Sequence, residues 1–173
     1  LKLESEVPGL SHSMILYSPN VRLNNPAAFL LDKPWGLLIA RKSMKANYRV
    51  MNDDISSLEC KYWYCRQRLE GLVYLQQLLT STMNQETFEK VKIPVFVGYY
   101  YKDEKYQDQT VRVDAILKMF DQLSTPENMK QKVAFPQAET HPIASKLFSK
   151  QWQDVEIASY QFAEEKLGLT AIK

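Results

Sequence analysis

The segment Ile93-Pro94-Val95-Phe96-Val97-Gly98 decides the fold class of this chain. It is short, rich in β-forming side chains and bounded by proline and glycine, which is typical of a buried strand. Downstream, the pattern predicts a helix at about 109–123, a strand at 132–135 and a helix at about 150–167. Strands that alternate with helices favour a parallel sheet covered by helices, and therefore the α/β class.

Upstream of this segment, one more strand precedes a helical region. The apolar run Ser13-Met14-Ile15-Leu16-Tyr17, which Pro19 ends, predicts a strand. Apolar bursts at 27–31 and 35–40 each follow a proline, which is suited to the first turn of a helix. Apolar side chains at three- or four-residue spacing predict the longest helix at 65–83, and a brief helix is expected at 86–91.

Composition excludes several function classes. The chain has 173 residues, the size of one domain, and 45% of them are hydrophobic. Its formal charge of +2 is smaller than a nucleic-acid-binding protein usually carries. Its apolar runs are far shorter than the ~20 residues of a membrane-spanning helix. We therefore expect no nucleic-acid partner and no transmembrane segment, and the cytoplasm is the favoured compartment.

The start of the chain and its two cysteines lead to further expectations. The chain opens on Leu1 without an initiator methionine, so we expect either a removed leader or a piece of a longer protein. Cys60 and Cys65 are too few for a disulfide framework and are expected to be reduced packing residues. No Cys/His ligand set and no glycine-rich phosphate loop is present, so no metal and no organic cofactor is expected.

His141 is the leading candidate for a general base. It follows the predicted strand at 132–135, and parallel sheets gather their catalytic groups beyond the carboxyl ends of the strands. Histidine suits this role because it changes charge near neutral pH. A solvent-exposed loop histidine is an equally good interpretation of the position. His12 precedes a strand and has no acidic neighbour in the sequence, so it is a weaker candidate.

The loop after the deciding strand contains three carboxylates, Asp103, Glu104 and Asp108. One of them is expected to accept the Nδ1 proton of His141, which would hold the ring in one tautomer. The alternatives are solvated loop charges or, for Asp108, a cap of the helix predicted to begin near Gln109.

A nucleophile is not evident. The motif Gly9-Leu10-Ser11-His12-Ser13 superficially matches the G-x-S-x-G elbow, but the elbow places a strand before its serine and a helix after it. Here the strand follows Ser11, and neither cysteine has a base near it in the sequence.

At this point several segments resemble the C-terminal part of α/β-hydrolase chains, with the serine-hydrolase-like proteins of Bacteroides-type bacteria as the nearest type. They are 93–104, 107–111 and 135–141, together with the motifs Tyr17-Ser18-Pro19-Asn20, Pro34-Trp35-Gly36 and Arg68-Leu69-Glu70-Gly71-Leu72. The resemblance implies a three-layer sandwich that is a partial α/β-hydrolase fold, with strands six to eight plus lid helices. Residues 1–18 and 92–173 would belong to the core, and residues 19–91 would form a helical lid.

The resemblance also implies a function. It makes the chain part of an esterase- or lipase-like serine hydrolase, an enzyme for small-molecule ester or acyl substrates if the missing N-terminal half is present. His141 would be the triad histidine and Asp108 the triad acid, with Asp103 as the alternative acid. The nucleophile and the oxyanion hole would lie before Leu1, with none in this chain. Candidates for lining the substrate pocket are Trp35, Tyr99 and Tyr100, although packing explains these side chains equally well or better.

A partial sheet exposes the edge where strand five pairs in such proteins. We therefore expect a homo-oligomer or pairing with the missing N-terminal half. The competing hypothesis is a non-enzymatic truncated α/β domain that acts as an oligomer or a partner-binding module. The weakest alternative is a self-sufficient hydrolase that uses Ser11 or Ser18.

Overall fold

The computed structural model describes residues 1–51, 54 and 57–170, and these residues belong to two compact units. The sheet unit comprises Leu1–Asn24 and Thr82–Lys173, and the inserted unit comprises Asn25–Ser81. The helices and strands follow in chain order: α1 (Lys2–Glu6), β1 (Met14–Tyr17), α2 (Gly36–Met44), β2 (Tyr48–Val50), α3 (Leu58–Tyr62), β3 (Arg66–Arg68), α4 (Leu69–Thr82), α5 (Gln85–Glu89), β4 (Val95–Tyr99), α6 (Val113–Gln122), β5 (Lys130–Ala134) and α7 (Trp152–Leu167). Two 3-10 turns add to these, at Pro26–Leu30 and Glu127–Met129.

A parallel three-stranded sheet of order β1-β4-β5 forms the centre of the sheet unit. Met14 of β1 lies opposite Val95 of β4, and Val95 in turn lies opposite Lys130 of β5. All five residues of β4 are buried, as expected for the middle strand of a parallel sheet that is covered on both faces. The predicted α/β class with a parallel sheet is confirmed.

Different helices pack against the two faces of the sheet. Side chains alternate between faces along a strand, so Val95 and Val97 point to one face and Phe96 points to the other. The first face packs against α6 through a buried cluster that includes Ile116 and Met119. The second face packs against α7, where the rings of Phe96 and Phe162 lie 5.6 Å apart. Helix, sheet and helix therefore form three layers.

Strand β1 is the most exposed strand of this sheet. Its residues alternate between half-buried and exposed, and Ile15 and Tyr17 keep 41% and 39% of their surface open. Among the described residues, β1 pairs with a strand on one side only. The result is an edge that carries large apolar side chains next to unpaired backbone groups.

Two helices begin later than their apolar patterns predict. Helix α4 begins at Leu69, not near residue 65, because Arg66–Arg68 forms β3 and pairs antiparallel with β2. Helix α6 begins at Val113, not near residue 109, because the Asp108 side chain folds the preceding residues into a turn. Asp108 is therefore not the cap of this helix; its N-cap residue is Arg112.

The expectation of reduced cysteines is wrong. Helix α3 and strand β3 bring Cys60 and Cys65 to a Cα–Cα distance of 5.4 Å, and their sulfurs form a disulfide. This distance is ordinary for a disulfide. Counting cysteines does not reveal such a bond, because it depends on the chain folding back between two cysteines that are five positions apart.

We expect the double variant Cys60→Ser/Cys65→Ser to lower the free energy of unfolding by about 2 kcal/mol, because it removes a small covalent loop. Urea denaturation of the oxidised wild type, the reduced wild type and the variant measures this. Reduction should bring the wild type close to the variant and leave the variant unchanged. Two alkylatable thiols in protein prepared without reductant would contradict the assignment.

Candidate functional site

Asp108 and His141 meet at the carboxyl edge of the sheet. Asp108 lies in the loop after β4 and His141 in the loop after β5, and these neighbouring parallel strands end at the same edge. The Nδ1 atom of His141 lies 2.7 Å from Oδ2 of Asp108. A carboxylate oxygen only accepts hydrogen bonds, so Nδ1 carries a proton, and in the neutral ring Nε2 then keeps a lone pair.

The Asp108 carboxylate is held by backbone amides. Its side chain is fully buried, and its Oδ1 atom accepts hydrogen bonds from the amides of Thr110 (2.8 Å) and Val111 (3.1 Å). The Asp108 amide donates to the carbonyl of Tyr100 at 3.2 Å. With both oxygens engaged, the carboxylate is fixed in the orientation that faces the imidazole.

The amides of Thr110 and Val111 are functional groups that sequence reasoning missed. The available signal is the aspartate itself, because aspartate side chains commonly bond to the backbone two or three residues ahead. That habit does not distinguish Asp108 from the other loop carboxylates, so it does not identify the acidic partner of His141.

The His141 loop is anchored on both sides. Ala138 and Ile143 are fully buried in the same cluster as Phe96, and the Ile143 amide donates to the carbonyl of His141 at 2.9 Å. Between these anchors the His141 side chain keeps 27% of its surface open. The imidazole is thus held in place while part of the side chain is left accessible.

The other acidic and basic candidates lie elsewhere. Asp103 accepts hydrogen bonds at 2.9 Å from the amides of Lys105 and Tyr106, within an exposed turn. Glu104 accepts a hydrogen bond from the hydroxyl of Tyr101. His12 is exposed and precedes β1, so it lies at the amino edge of the sheet, opposite the edge that carries His141.

Of the two candidate serines, only Ser18 lies at the carboxyl edge. It follows β1 directly, has φ +42°, and donates its amide proton to the carbonyl of Gly98. Its buried hydroxyl has no hydrogen-bond partner among the described residues. Ser11 lies at the amino edge, where its amide donates to Glu4. The next helical turn after Ser18 begins at Pro26, so the strand, serine and helix of an elbow do not follow one another here.

The aromatic candidates occupy different environments. Tyr99 and Tyr100 are buried in the clusters on opposite faces of the sheet. Burial raises the pKa of the Tyr99 hydroxyl, an effect that Lys132 partly offsets, and burial also raises the pKa of Tyr100. Both hydroxyls therefore stay protonated at neutral pH. Trp35 belongs to the inserted unit and is exposed. Contact of these three side chains with a substrate stays a prediction.

Two other kinds of site are not found in the part of the chain that the structure describes. There, no three side chains of histidine, cysteine, aspartate or glutamate converge as metal ligands. Across the same residues, no helix combines the length and the apolar character that crossing a bilayer requires.

Comparison with known proteins relates the fold to lipolytic enzymes. A solved structure from work on LipS and LipT, two metagenome-derived lipolytic enzymes, matches 92% of this chain with a TM-score of 0.59 and 11% sequence identity. This chain spans 57% of the length of that one. No protein-family model and no curated protein matches the sequence significantly. At such low identity the likeness shows the fold alone, which is α/β-hydrolase-like; the narrower resemblance to proteins of Bacteroides-type bacteria stays a prediction.

Proposed function

We propose that this chain is the C-terminal part of a serine α/β-hydrolase, an esterase- or lipase-like acyl hydrolase, and that it supplies the acid and the histidine of the triad. One observation carries the proposal: the buried Asp108 carboxylate lies 2.7 Å from Nδ1 of His141 at the carboxyl edge of a parallel sheet. The likeness in fold to a lipolytic enzyme supports the same reaction class.

Each residue of the pair has one task in this reaction. Nε2 of His141 takes the proton of the serine hydroxyl as the serine oxygen attacks the ester carbonyl, and it then passes that proton to the departing alcohol. In the second half of the reaction the same nitrogen deprotonates a water molecule, whose oxygen attacks the acyl carbon, and the proton returns to the departing serine oxygen. Asp108 accepts the Nδ1 proton throughout, which keeps Nε2 directed at the reacting groups and stabilises the imidazolium.

We place the nucleophile and the oxyanion hole in sequence that precedes Leu1. The exposed side chains of Ile15 and Tyr17 on β1 support this placement, since a further strand pairing there would cover them. The partial coverage of the lipolytic structure agrees with it. If the edge is not covered in that way, a second copy of the chain is the alternative that the same surface supports.

The lid role of residues 19–91 is part of the proposal. Its support is that the compact inserted unit, Asn25–Ser81, is inserted in the chain between β1 and β4, after the carboxyl end of β1. We further propose that the protein works in an oxidising compartment, in place of the cytoplasmic location favoured by the sequence, because disulfides such as Cys60–Cys65 persist there.

Fluorophosphonate labelling followed by peptide mapping tests the proposal. We compare residues 1–173 with the gene product that includes the residues preceding Leu1. We expect no labelled serine in the shorter protein, one labelled serine upstream of Leu1 in the longer protein, and loss of that label in His141→Ala. A label on Ser18 in the shorter protein would instead favour a self-sufficient hydrolase. A folded longer product that takes no label would favour the non-enzymatic alternative.

A further inference from the structure

Helix α2 directs its small residues inward and its large apolar residues outward. Gly36 and Ala40 are buried, whereas Trp35, Leu38 and Ile39 keep 45%, 67% and 39% of their surface exposed. These three residues and Lys42 follow the i, i+3, i+4, i+7 spacing of a single helix face, and together they line one shallow surface depression. We call this set the outer face of α2. An apolar stripe of this kind is normally buried in a globular protein.

The inner side of the helix leaves no room for a different orientation. A Cβ atom added at Gly36 would lie 2.4 Å from the carbonyl oxygen of Leu31, far inside van der Waals contact. Only glycine fits against that backbone, so Gly36 marks the closely packed side of α2. The exposed outer face lies on a different side of the helix.

The segment around the outer face is strongly basic. Residues 33–51 contain five lysines and arginines and no acidic residue. The inserted unit as a whole has eight basic and five acidic residues, a formal charge of +3, while the entire chain has only +2. Lys33 pairs with Asp32 and Arg41 pairs with Glu70. Within the described ranges, the remaining three basic side chains of the segment form no ion pair: Lys42, Lys45 and Arg49.

We propose that the outer face of α2 docks onto an anionic phospholipid bilayer. An apolar helix face flanked by lysine and arginine is the pattern of a helix that lies in the membrane interface, where tryptophan is also favoured. Anionic headgroups attract each basic residue near the surface by about 1 kcal/mol, which corresponds to about fivefold in affinity. This inference stands on the inserted unit alone and is independent of the proposed catalytic role.

Charge argues against the other occupants of this face. A symmetric dimer through the outer face would bring two basic 33–51 segments together, and neither segment offers a carboxylate to compensate. A nucleic acid would engage the basic residues and leave Leu38 and Ile39 without an apolar partner. A bilayer satisfies both parts of the surface, because it presents acyl chains next to anionic headgroups.

Co-sedimentation of residues 1–173 with large unilamellar vesicles tests the proposal. We expect binding to phosphatidylglycerol/phosphatidylcholine vesicles, little binding to pure phosphatidylcholine, and weakening of binding as salt screens the charges. Binding should shift tryptophan emission to the blue; the shift should be lost in Trp35→Phe and kept in Trp63→Phe. These variants separate the outer face from the other exposed tryptophan of the inserted unit.

Matched variants test whether binding depends on the outer face itself or on nonspecific hydrophobic adsorption and net charge. Leu38→Glu is expected to weaken binding by about tenfold or more, whereas Tyr74→Glu, which alters an equally exposed side chain (67%) of the same unit and adds the same charge, should have a much smaller effect. Lys42→Glu is expected to weaken binding by about fivefold or more. The control Lys61→Glu makes the same charge change at an exposed site on α3 and should have a smaller effect.

Several results would overturn the proposal. Equal effects of Lys42→Glu and Lys61→Glu would assign the binding to net charge and not to this face. Absence of binding by folded protein to either kind of vesicle would exclude a lipid surface. A dimer in solution that Leu38→Glu converts to a monomer would assign the face to a second copy of the chain.

Discussion

Replacing His141 with alanine is expected to lower kcat/KM for an activated ester by about 10⁴-fold or more in the gene product that carries the nucleophile. The pair geometry explains the size of the effect: the Asp108 contact leaves Nε2 as the acceptor that deprotonates the serine. Without this ring, both the attack of the serine and the departure of the alcohol lose their proton carrier. Steady-state kinetics of ester hydrolysis measure kcat/KM for the parent and for the variant.

His12→Ala is the matched control, since it removes the second of the two histidines in the chain. His12 is exposed at the amino edge of the sheet, so its removal should change kcat/KM by less than about twofold. Both variants should keep the circular dichroism spectrum of the parent, which shows that they are folded. A loss of less than about tenfold in His141→Ala would contradict its role as general base.

Asp108→Asn is expected to lower kcat by about 10⁴-fold with almost no change in shape. Oδ1 accepts the amides of Thr110 and Val111, so the asparagine carbonyl is drawn to that side and its NH₂ group faces His141. An NH₂ group donates, which forces Nδ1 to accept and places the ring proton on Nε2. The lone pair that the reaction requires is then on the wrong nitrogen.

Nitrogen NMR of the His141 ring measures which ring nitrogen carries the proton, independently of catalysis. In residues 1–173 alone we expect the Nδ1–H tautomer in the parent and the Nε2–H tautomer in Asp108→Asn. If the tautomer switches but activity in the longer product survives, the geometry of the pair is right and the proposed function is wrong. If the tautomer does not switch, the hydrogen bond assigned between Asp108 and Nδ1 of His141 is wrong.

Asp103→Asn serves as the matched control for the acid. The asparagine carbonyl can still accept hydrogen bonds from the amides of Lys105 and Tyr106, so the exposed turn should be kept, and activity should remain within about twofold of the parent. A large loss in Asp103→Asn together with an active Asp108→Asn would assign the triad acid to Asp103.

Asp108→Ala should also lower the free energy of unfolding by about 1–3 kcal/mol, because the buried amide of Val111 loses its acceptor.

Local patterns in the sequence were sufficient to predict the sheet and the region of the site. Apolar runs with punctuation predicted all three parallel strands within a few residues, since strand formation at Val95–Tyr99 depends on neighbours in the sequence. The helices expected at 86–91 and at about 150–167 likewise correspond to α5 and α7. His141 became a candidate because it follows a strand, which a sequence displays directly.

The sequence did not distinguish between the two candidate acidic partners of His141. Asp103 and Asp108 follow the same strand and are both compatible with a histidine partner at the next strand end. The decision comes from the turn at 108–111, in which two backbone amides hold one carboxylate inward, while the 103–106 turn holds the other at the surface.

Other features likewise depend on segments that meet in space. The helix predicted to begin near residue 65 begins at Leu69, because Arg66–Arg68 forms β3 and pairs with β2, which lies 16 or more positions earlier in the chain. The disulfide and the outward direction of the apolar side chains of α2 depend on contacts between residues five positions apart, Cys60 with Cys65 and Gly36 with the Leu31 carbonyl, which a residue pattern does not display. By itself the sequence determined which segments form strands and helices and which residues follow the strands. Only the tertiary structure decided which side chains are brought within bonding distance, because that depends on the path of the backbone, both in turns such as 108–111 and where more distant strands such as β2 and β3 pair.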